Sequence, residues 1–176
     1  SKIQQVMVVS GSMKPPPAVA FVAKALATAL GAGYSPVAPG TCGTAVAVPL
    51  VFVMAGLVTW QFVAIAIAVT GIGIVAAHYA DRAWGTEDAQ KIVIDEVAGY
   101  LVTMIPAPKD AWAPLLAGFI AFRFFDIVKP PPVRWLDANL PGGWGVMMDD
   151  IAAGVMGALV MGIATYFGAW DAIAGL

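Results

Sequence analysis

The residues of this sequence most able to do chemistry are acids that lie within or beside apolar runs. Charged groups in or near hydrocarbon are costly, and they usually face a partner or a cavity. Three separate segments carry such acids: Asp95 with Glu96, then Asp126, then Asp149 with Asp150. Carboxylates without histidine or cysteine suit Mg²⁺, which prefers oxygen ligands. The acids therefore predict an Mg²⁺ site, provided that the fold brings the three segments together.

Cations accompany one of these acids around three consecutive prolines. The stretch RFFDIVKPPPVRWLD, residues 123–137, places Arg123, Asp126 and Lys129 at a spacing that lets them face one cavity from a helix. The proline run predicts a stiff, extended exit that fixes Lys129 relative to Arg134. These cations could hold the charge of a phosphate. The alternative for Arg123 and Asp126 is a structural ion pair.

Two glycine-containing stretches offer further binding groups. In YSPVAPGTCGTAV, residues 34–46, Gly40 and Gly43 allow close approach of the backbone. Thr44 is placed to cap a following helix, whose N-terminus attracts anions. These groups could bind phosphate, but the composition by itself favours an ordinary turn with a threonine cap. The second stretch, GGWGVMMDD at 142–150, is interpreted as a glycine-rich loop before a helix.

Each acidic pair also has an ordinary structural explanation. Asp95 and Glu96 begin an apolar helix, where acids stabilise the positive end of the helix dipole. Asp149 and Asp150 directly precede a predicted helix and could cap it. Convergence of all the acidic segments at one end of a bundle favours a functional site over these explanations.

The composition indicates a membrane protein. Of the 176 residues, 60% are hydrophobic and 11% are charged, and the mean hydropathy is +0.84, whereas soluble domains carry about 25% charged residues. A net charge of -2 gives no general attraction to nucleic acid. The single Cys42 and the single His78 exclude an internal disulfide and a multi-histidine metal site. His78 is interpreted as a packed interfacial residue, with a proton shuttle as the alternative.

The apolar runs predict an all-α fold, namely a polytopic helical membrane bundle. After an N-terminal tail at 1–17, residues 18–176 are expected to form one domain that begins with an amphipathic helix at 18–30. About five hydrophobic helices follow. A helix needs roughly 20 residues to span a membrane, and this length is the standard for identifying them. They are predicted at 44–60, 61–80, 92–105, 114–128 and 149–170.

Predicted reversals of the chain near residues 60 and 110 gather the polar segments at one end of the bundle. That end receives eight of the nine Lys and Arg residues and nine of the eleven acids, and among the cations only Lys109 lies opposite. Positively charged loops concentrate on the cytoplasmic side of membranes. We therefore expect a site that faces the cytoplasm.

The ordered motifs resemble those of the phosphatidylglycerophosphatase A family. They are SPVAPGTCGT at 35–44, IVIDEVAG at 92–99, FRFFDIVKPPPVRWLD at 122–137 and GGWGVMMDDIAAG at 142–154. The resemblance covers roughly residues 20–170. It implies a helical, Mg²⁺-dependent lipid phosphatase of the bacterial inner membrane. Such an enzyme converts phosphatidylglycerophosphate to phosphatidylglycerol and inorganic phosphate.

The positions that match the family's motifs imply which residues form the site. Mg²⁺ ligands are expected at Asp95, Glu96, Asp126, Asp149 and Asp150. All of these except Asp149 are also expected to be catalytic. Phosphate-binding groups are expected at Thr41, Gly43, Thr44, Arg123, Lys129 and Arg134. Accessory positions are Ser35, Asp88 and Asp137. Cys42 is expected to be structural, because a cysteine-based phosphatase would need arginine at position 48, which is Val48.

Two other classes of function stay open at this point. Acids inside a helical bundle could form the cation or proton pathway of a transporter, although here they gather at one end. A non-catalytic lipid-binding module is the second alternative, and it predicts that the acids can be neutralised without loss of turnover. A phosphatidyltransferase is disfavoured because its D-x2-D-G-x2-A-R motif is absent.

Overall fold

The described residues form helices joined by turns and loops and contain no β-strand, which confirms the predicted all-α class. The computed structural model describes residues 14–86, 89–140 and 142–174. Within these ranges the helices are α1 (Pro17–Ala27), α2 (Pro39–Val53), α3 (Thr59–Trp84), α4 (Ile94–Thr103), α5 (Trp112–Val128), α6 (Pro131–Asn139), α7 (Gly142–Tyr166) and α8 (Ala169–Ala174). A short 3-10 turn at Ala32–Tyr34 lies between α1 and α2.

Two helices are long and apolar enough to cross a membrane. They are α3, with 26 residues, and the 23-residue part of α7 at Trp144–Tyr166. By contrast, α2, α4 and α5 contain 15, 10 and 17 residues, fewer than the roughly 20 that a span needs. The described residues thus contain two candidate spans together with shorter apolar helices, and the prediction of about five spans is not confirmed.

The short helix α4 lies at the centre of the bundle. It packs against α2, α3, α5 and α7, and residues 97–101 are all buried. The Tyr100 hydroxyl donates a hydrogen bond to the Leu115 carbonyl oxygen (2.8 Å), which satisfies its polar group inside the core. The acids Asp95 and Glu96 lie in the first turn of this helix. Its neighbours therefore hold both acids in fixed positions.

Helices α4 and α7 run parallel and touch through glycine. A Cβ atom at Gly99 would come within 2.7 Å of the Asp150 carbonyl oxygen, and one at Gly154 would overlap the Gly99 backbone. Further along, the Thr103 hydroxyl donates to the carbonyl oxygens of Gly99 (3.0 Å) and Gly154 (3.2 Å). Small residues allow two helix backbones to approach this closely. As a result, the N-terminal parts of both helices reach the same end of the bundle.

The segment after α5 is helical, so the prediction of an extended exit from the proline run is wrong. α5 ends at Val128, and the left-handed backbone of the next residue, Lys129 (φ 44°), turns the chain. Pro131 then occupies the first turn of α6, where the missing N–H is no loss and the fixed φ of proline suits a helix. The side chain of Val133 is fully buried, while Trp135 is exposed.

α7 begins earlier than predicted. The stretch interpreted as a glycine-rich loop is the start of this helix, at Gly142 instead of residue 149. Asp149 and Asp150 therefore lie about two turns inside a helix, and their interpretation as N-caps is wrong. Glycine composition misled the prediction, because packing against neighbouring helices outweighs the weak helix propensity of this residue.

α2 also begins earlier, at Pro39 instead of residue 44, with Ala38 at its cap position. Thr44 consequently lies inside the helix and does not cap it, contrary to the prediction. Its hydroxyl donates instead to the Gly40 carbonyl oxygen one turn earlier (3.1 Å). The rest of this side chain points into the bundle, where it is fully buried.

Candidate active site

Two of the three acidic segments meet at Arg123 of α5. Its Nη1 atom forms ion pairs with the carboxylate of Glu96, from α4, and with Asp126 Oδ2 at 2.8 Å. The side chains of these residues are largely buried, with exposures of 12 to 15%. A cation between two carboxylates in such a place offsets much of the cost of burying their charges. Residues from different helices are thus joined into one charged cluster.

Helix α2 closes one side of this cluster. The Thr44 hydroxyl donates a hydrogen bond to Glu96 Oε2 (3.2 Å). A Cβ atom at Gly40 would overlap the Glu96 carboxylate and lie 3.1 Å from Arg123 Nη1. Only glycine leaves room for the ion pair at this point. The first turn of α2 therefore borders the site directly.

Two further acids approach the cluster from α4 and α7. Asp95 is half-buried, and its Oδ1 accepts a hydrogen bond from the Glu96 backbone N–H (2.9 Å). Asp150 is 4% exposed, and its Oδ2 has no hydrogen-bond partner among the described residues. Asp95, Glu96, Asp126 and Asp149 all lie close enough to repel the charge of Asp150. This side of the site therefore gathers carboxyl groups whose negative charges would repel one another.

Burial raises the pKa of both acids in α4. The pKa of Asp95 lies well above its ordinary value, because burial and the neighbouring charge of Glu96 disfavour the ionised form. Burial also raises the pKa of Glu96 to about 7, although the charge of Arg123 acts in the opposite direction. Carboxyl groups perturbed in this way gather at functional sites.

Lys129 adds a second cation. Its Nζ lies 2.8 Å from Asp149 Oδ2, and so it joins the end of α5 to α7. The side chain of Lys129 is 31% exposed, whereas that of Asp149 is 7% exposed. The cluster thus has a partly accessible cation at its edge and acids inside.

The donor set fits a divalent cation. Its ligands would all be carboxylate oxygens, the type that Mg²⁺ prefers, and the unpartnered oxygen of Asp150 is buried among them. Within the described ranges, no three Asp, Glu, His or Cys side chains are already arranged as ligands around one point. A bound cation would relieve the repulsion between Asp95 and Asp150, so these two are the first candidates to hold it.

The motifs and the cluster can now be compared with known proteins. The family model of phosphatidylglycerophosphatase A matches residues 25–165. This chain belongs to the phosphatidylglycerophosphatase A family.

Two relatives carry the name of this family, and a third carries the name of another lipid phosphatase. The phosphatidylglycerophosphatase A of Escherichia coli (strain K12) is 39% identical over 137 residues, which cover 77% of this chain and 79% of the relative. The Haemophilus influenzae protein of the same name is 32% identical over 143 residues, or 81% and 88% of the two chains. A Bacteroides thetaiotaomicron protein named putative phosphatidylinositol-3-phosphatase is 37% identical over 153 residues, or 83% and 95%. No solved structure matches this chain.

The other described residues proposed for the phosphatidylglycerophosphatase site are exposed, half-buried or held in local contacts. Arg134 is exposed on α6, and Thr41 lies half-buried in the first turn of α2. Gly43 packs against α4, since a Cβ there would lie 2.7 Å from Val93 Cβ. Ser35 donates to the Val37 carbonyl oxygen (2.8 Å) within its turn. Their roles in phosphate binding stay predictions.

Four more positions complete the comparison. Asp88 lies outside the described residues, as does the side chain of Asp137. Cys42 is partly exposed and points its sulfur toward the turn before α2. His78 is exposed on α3, where its ring lies edge-on to that of the next residue, Tyr79. The prediction that His78 is packed is therefore wrong.

The residues that sequence reasoning missed are glycines of the helix contact. Gly99 and Gly154 each follow a site acid by four residues, in DEVAG and DDIAAG. Residues four apart lie on the same face of a helix, so this repeated spacing was the available signal. Asp95 and Asp150 therefore each lie one helical turn before a glycine at the close contact between α4 and α7.

Proposed function

We propose that this protein is a phosphatidylglycerophosphatase whose reaction takes place at the buried carboxylate cluster. The family carries the activity, which is removal of the terminal phosphate from phosphatidylglycerophosphate to leave phosphatidylglycerol. One observation supports the location of the reaction at this cluster. The Asp150 carboxylate lies inside an apolar helix with an oxygen that has no hydrogen-bond partner among the described residues. A buried charge of this kind is costly unless it has a functional partner.

Asp95, Asp149 and Asp150 would hold Mg²⁺, with Glu96 and Asp126 as further oxygen donors. When bound, Mg²⁺ neutralises charge on a phosphate and polarises its bonds. The support for this proposal is the donor chemistry of the cluster and the mutual repulsion of its acids.

The cations of the site would receive the phosphate. Lys129 is the better placed for the first encounter, because its side chain is partly exposed at the edge of the cluster. Arg123 lies deeper and is already held by Glu96 and Asp126, so its guanidinium is pre-oriented. Such pre-organised charge lowers the barrier of phosphoryl transfer.

The reaction itself needs one water molecule. Water attacks the phosphorus atom while the bond from phosphorus to the glycerol oxygen breaks. A carboxylate of the cluster accepts a proton from the water, and a proton passes to the glycerol oxygen as the alcohol leaves. The products are phosphatidylglycerol and inorganic phosphate, and the protein is unchanged.

The lipid substrate requires a site at the edge of a bilayer. We place α3 and α7 across the membrane as two antiparallel spans, since only 28% and 39% of their apolar windows are buried within the protein. The end that carries the acids then faces the cytoplasm of a bacterial inner membrane. The cations Arg82, Arg123 and Lys129 support this orientation, because positive charge gathers on that side.

The test is release of inorganic phosphate from phosphatidylglycerophosphate by purified protein in neutral detergent, with Mg²⁺ or with excess chelator. Wild type is compared with Asp126→Asn and Asp150→Asn, and with Asp171→Asn as a control at an exposed acid outside the cluster. We expect Mg²⁺-dependent release by wild type and the control, and its loss in the two folded site variants.

A parallel assay uses phosphatidylinositol 3-phosphate, because one relative carries the name of a phosphatase for that lipid. Faster release from this lipid than from phosphatidylglycerophosphate would reassign the substrate and keep the site. Failure to release phosphate from either lipid would defeat the phosphatase assignment, and ion flux in liposomes would then be measured.

A further inference from the structure

Two lysines outside the carboxylate cluster share one tryptophan ring. Lys24 of α1 places its Nζ 5.3 Å from the centre of the Trp84 ring, and Lys91 places its Nζ 5.9 Å from the same ring. Lys91 also lies 5.6 Å from the ring centre of Tyr34. Both distances to Trp84 are within the range of a cation–π interaction. We call Lys24, Lys91, Trp84 and Tyr34 the lysine–aromatic site.

Acids of the described residues do not neutralise the charges of this site. Neither Lys24 nor Lys91 forms an ion pair with an acid in the described parts of the chain. Two ammonium groups beside one indole repel each other, and the ring compensates only part of that repulsion. An anion bound beside them would relieve it. Lys91 and Tyr34 are exposed, so an anion can reach the site.

The backbone under the site is fixed. The Val93 N–H donates to the Ala27 carbonyl oxygen (2.8 Å), which joins the segment before α4 to the end of α1. Gly33 packs so closely on the Lys91 carbonyl that a Cβ atom would overlap it. The Asp81 carboxylate accepts a hydrogen bond from the Ala89 N–H (3.0 Å). The two lysines are thus attached to backbone segments with defined positions.

The lysine–aromatic site is also near the carboxylate cluster. Lys91 precedes Asp95 by four residues, so their Cα atoms are at most about 14 Å apart. The substrate of the proposed function has two phosphates, a terminal monoester and a phosphodiester, separated by one glycerol. If the monoester lies at the acids and their metal, the phosphodiester needs cations nearby that do not take part in the reaction.

We propose that Lys24 and Lys91, supported by Trp84 and Tyr34, bind the phosphodiester of the lipid substrate. This inference rests on the proposed function and adds a second recognition point for the same molecule. The two points together select a lipid that carries two phosphates one glycerol apart. The amphipathic rings suit the headgroup level of a bilayer, where tryptophan and tyrosine are enriched.

The test compares KM and kcat for phosphate release from phosphatidylglycerophosphate in neutral detergent. The variant Lys24→Gln/Lys91→Gln removes the two charges, and Lys24→Arg/Lys91→Arg retains them. Lys14→Gln/Arg82→Gln is the matched control, since it removes two charges elsewhere in the described chain. We expect KM to rise about fivefold for each lysine lost, with kcat unchanged. The arginine variant and the control should behave as wild type.

A second measurement does not depend on turnover. Phosphatidylglycerol, which keeps the phosphodiester, is titrated into each protein in neutral detergent and followed by tryptophan fluorescence. We expect weaker binding only in the glutamine variant. If wild type releases no phosphate, the proposed function fails, and this titration still decides whether the lysines bind the phosphodiester.

Two outcomes would overturn the inference while the proposed function stands. One is equal KM values for wild type and the glutamine variant. The other is a KM difference that arises only after a further anionic lipid is added to the detergent, which would assign the lysines to general contact with a charged bilayer surface. A misfolded glutamine variant is recognised by its elution profile. The test then compares Lys24→Arg/Lys91→Arg, with an expected wild-type KM, against the single variant Lys91→Gln, which lacks one of the two charges and should have a higher KM.

Discussion

Gly99 of α4 and Gly154 of α7 lie backbone to backbone, one helical turn beyond Asp95 and Asp150. A Cβ atom at Gly154 would overlap the Gly99 carbonyl oxygen and come within 3.1 Å of the Gly99 Cα atom. The contact therefore fixes the separation of the two helices at the level of the acids. Its effect on the site is positional, since neither glycine carries a functional group.

The substitution Gly154→Ala should separate α4 from α7. Backbone atoms cannot rotate away from the added methyl group, so we expect a loss of about 1–3 kcal/mol in the free energy of unfolding. Displacement of Asp95 relative to Asp150 should lower kcat at least tenfold. Gly71→Ala is the control, because nothing lies within 4 Å of a Cβ at that position. Full activity in Gly154→Ala would show that the spacing of the helices does not matter.

Asp150→Asn should lower activity and raise stability in the absence of metal. The carboxylate is buried near four other acids, so a neutral amide removes repulsion that the folded state now carries. We expect a higher Tm in chelator, together with loss of phosphate release. Added Mg²⁺ should raise the Tm of wild type by preferential binding to the folded state, and it should do so less in the variant. A lower Tm for Asp150→Asn in chelator would indicate a structural role for this acid.

Arg123→Met should be strongly destabilising. It leaves Glu96 and Asp126 buried without their shared cation, and breaking a buried ion pair costs about 3 kcal/mol or more. The triple variant with Glu96→Gln and Asp126→Asn should regain most of that loss without regaining activity. Denaturant unfolding in detergent measures both effects, and Arg134→Met on the exposed face of α6 is the comparison. Equal stability of the single and triple variants would contradict the role of Arg123 as a shared counter-ion.

Lys129→Gly separates the backbone role of this residue from its charge. Glycine adopts the left-handed conformation of Lys129 (φ 44°) without the steric cost of a side chain. We expect stability to change by less than about 1 kcal/mol, because this gain offsets the lost ion pair with Asp149. The KM for phosphatidylglycerophosphate should rise, since a cation at the edge of the site is gone. An unchanged KM would remove Lys129 from phosphate binding.

The sequence by itself determined the helical class, the family and the identity of the charged residues. Apolar runs with few charges leave few alternatives to helices, because a helix satisfies its backbone groups within one segment. Asp95, Glu96, Asp126, Asp149 and Asp150 could be selected because charge is rare in such a chain. Their ordered motifs then led to the family, which the comparisons confirm.

Only the tertiary structure decided the partners of those charges and the ends of the helices. The proline run and the glycine-rich stretch were predicted as irregular, but both are helical, because local propensity is a weak preference that packing overrides. Arg123 was predicted to bind phosphate or to form an ion pair with Asp126, and the structure adds Glu96 as a second partner. Which charges meet depends on where helices that are distant in sequence pack together. Helices α4 and α7 can pack this closely only because Gly99 and Gly154 lack Cβ atoms, which would overlap the facing backbone. Arg123 and Glu96 are 27 residues apart, and Lys129 and Asp149 are 20 apart. Contacts between segments this distant have no local signature, so the fold had to supply them.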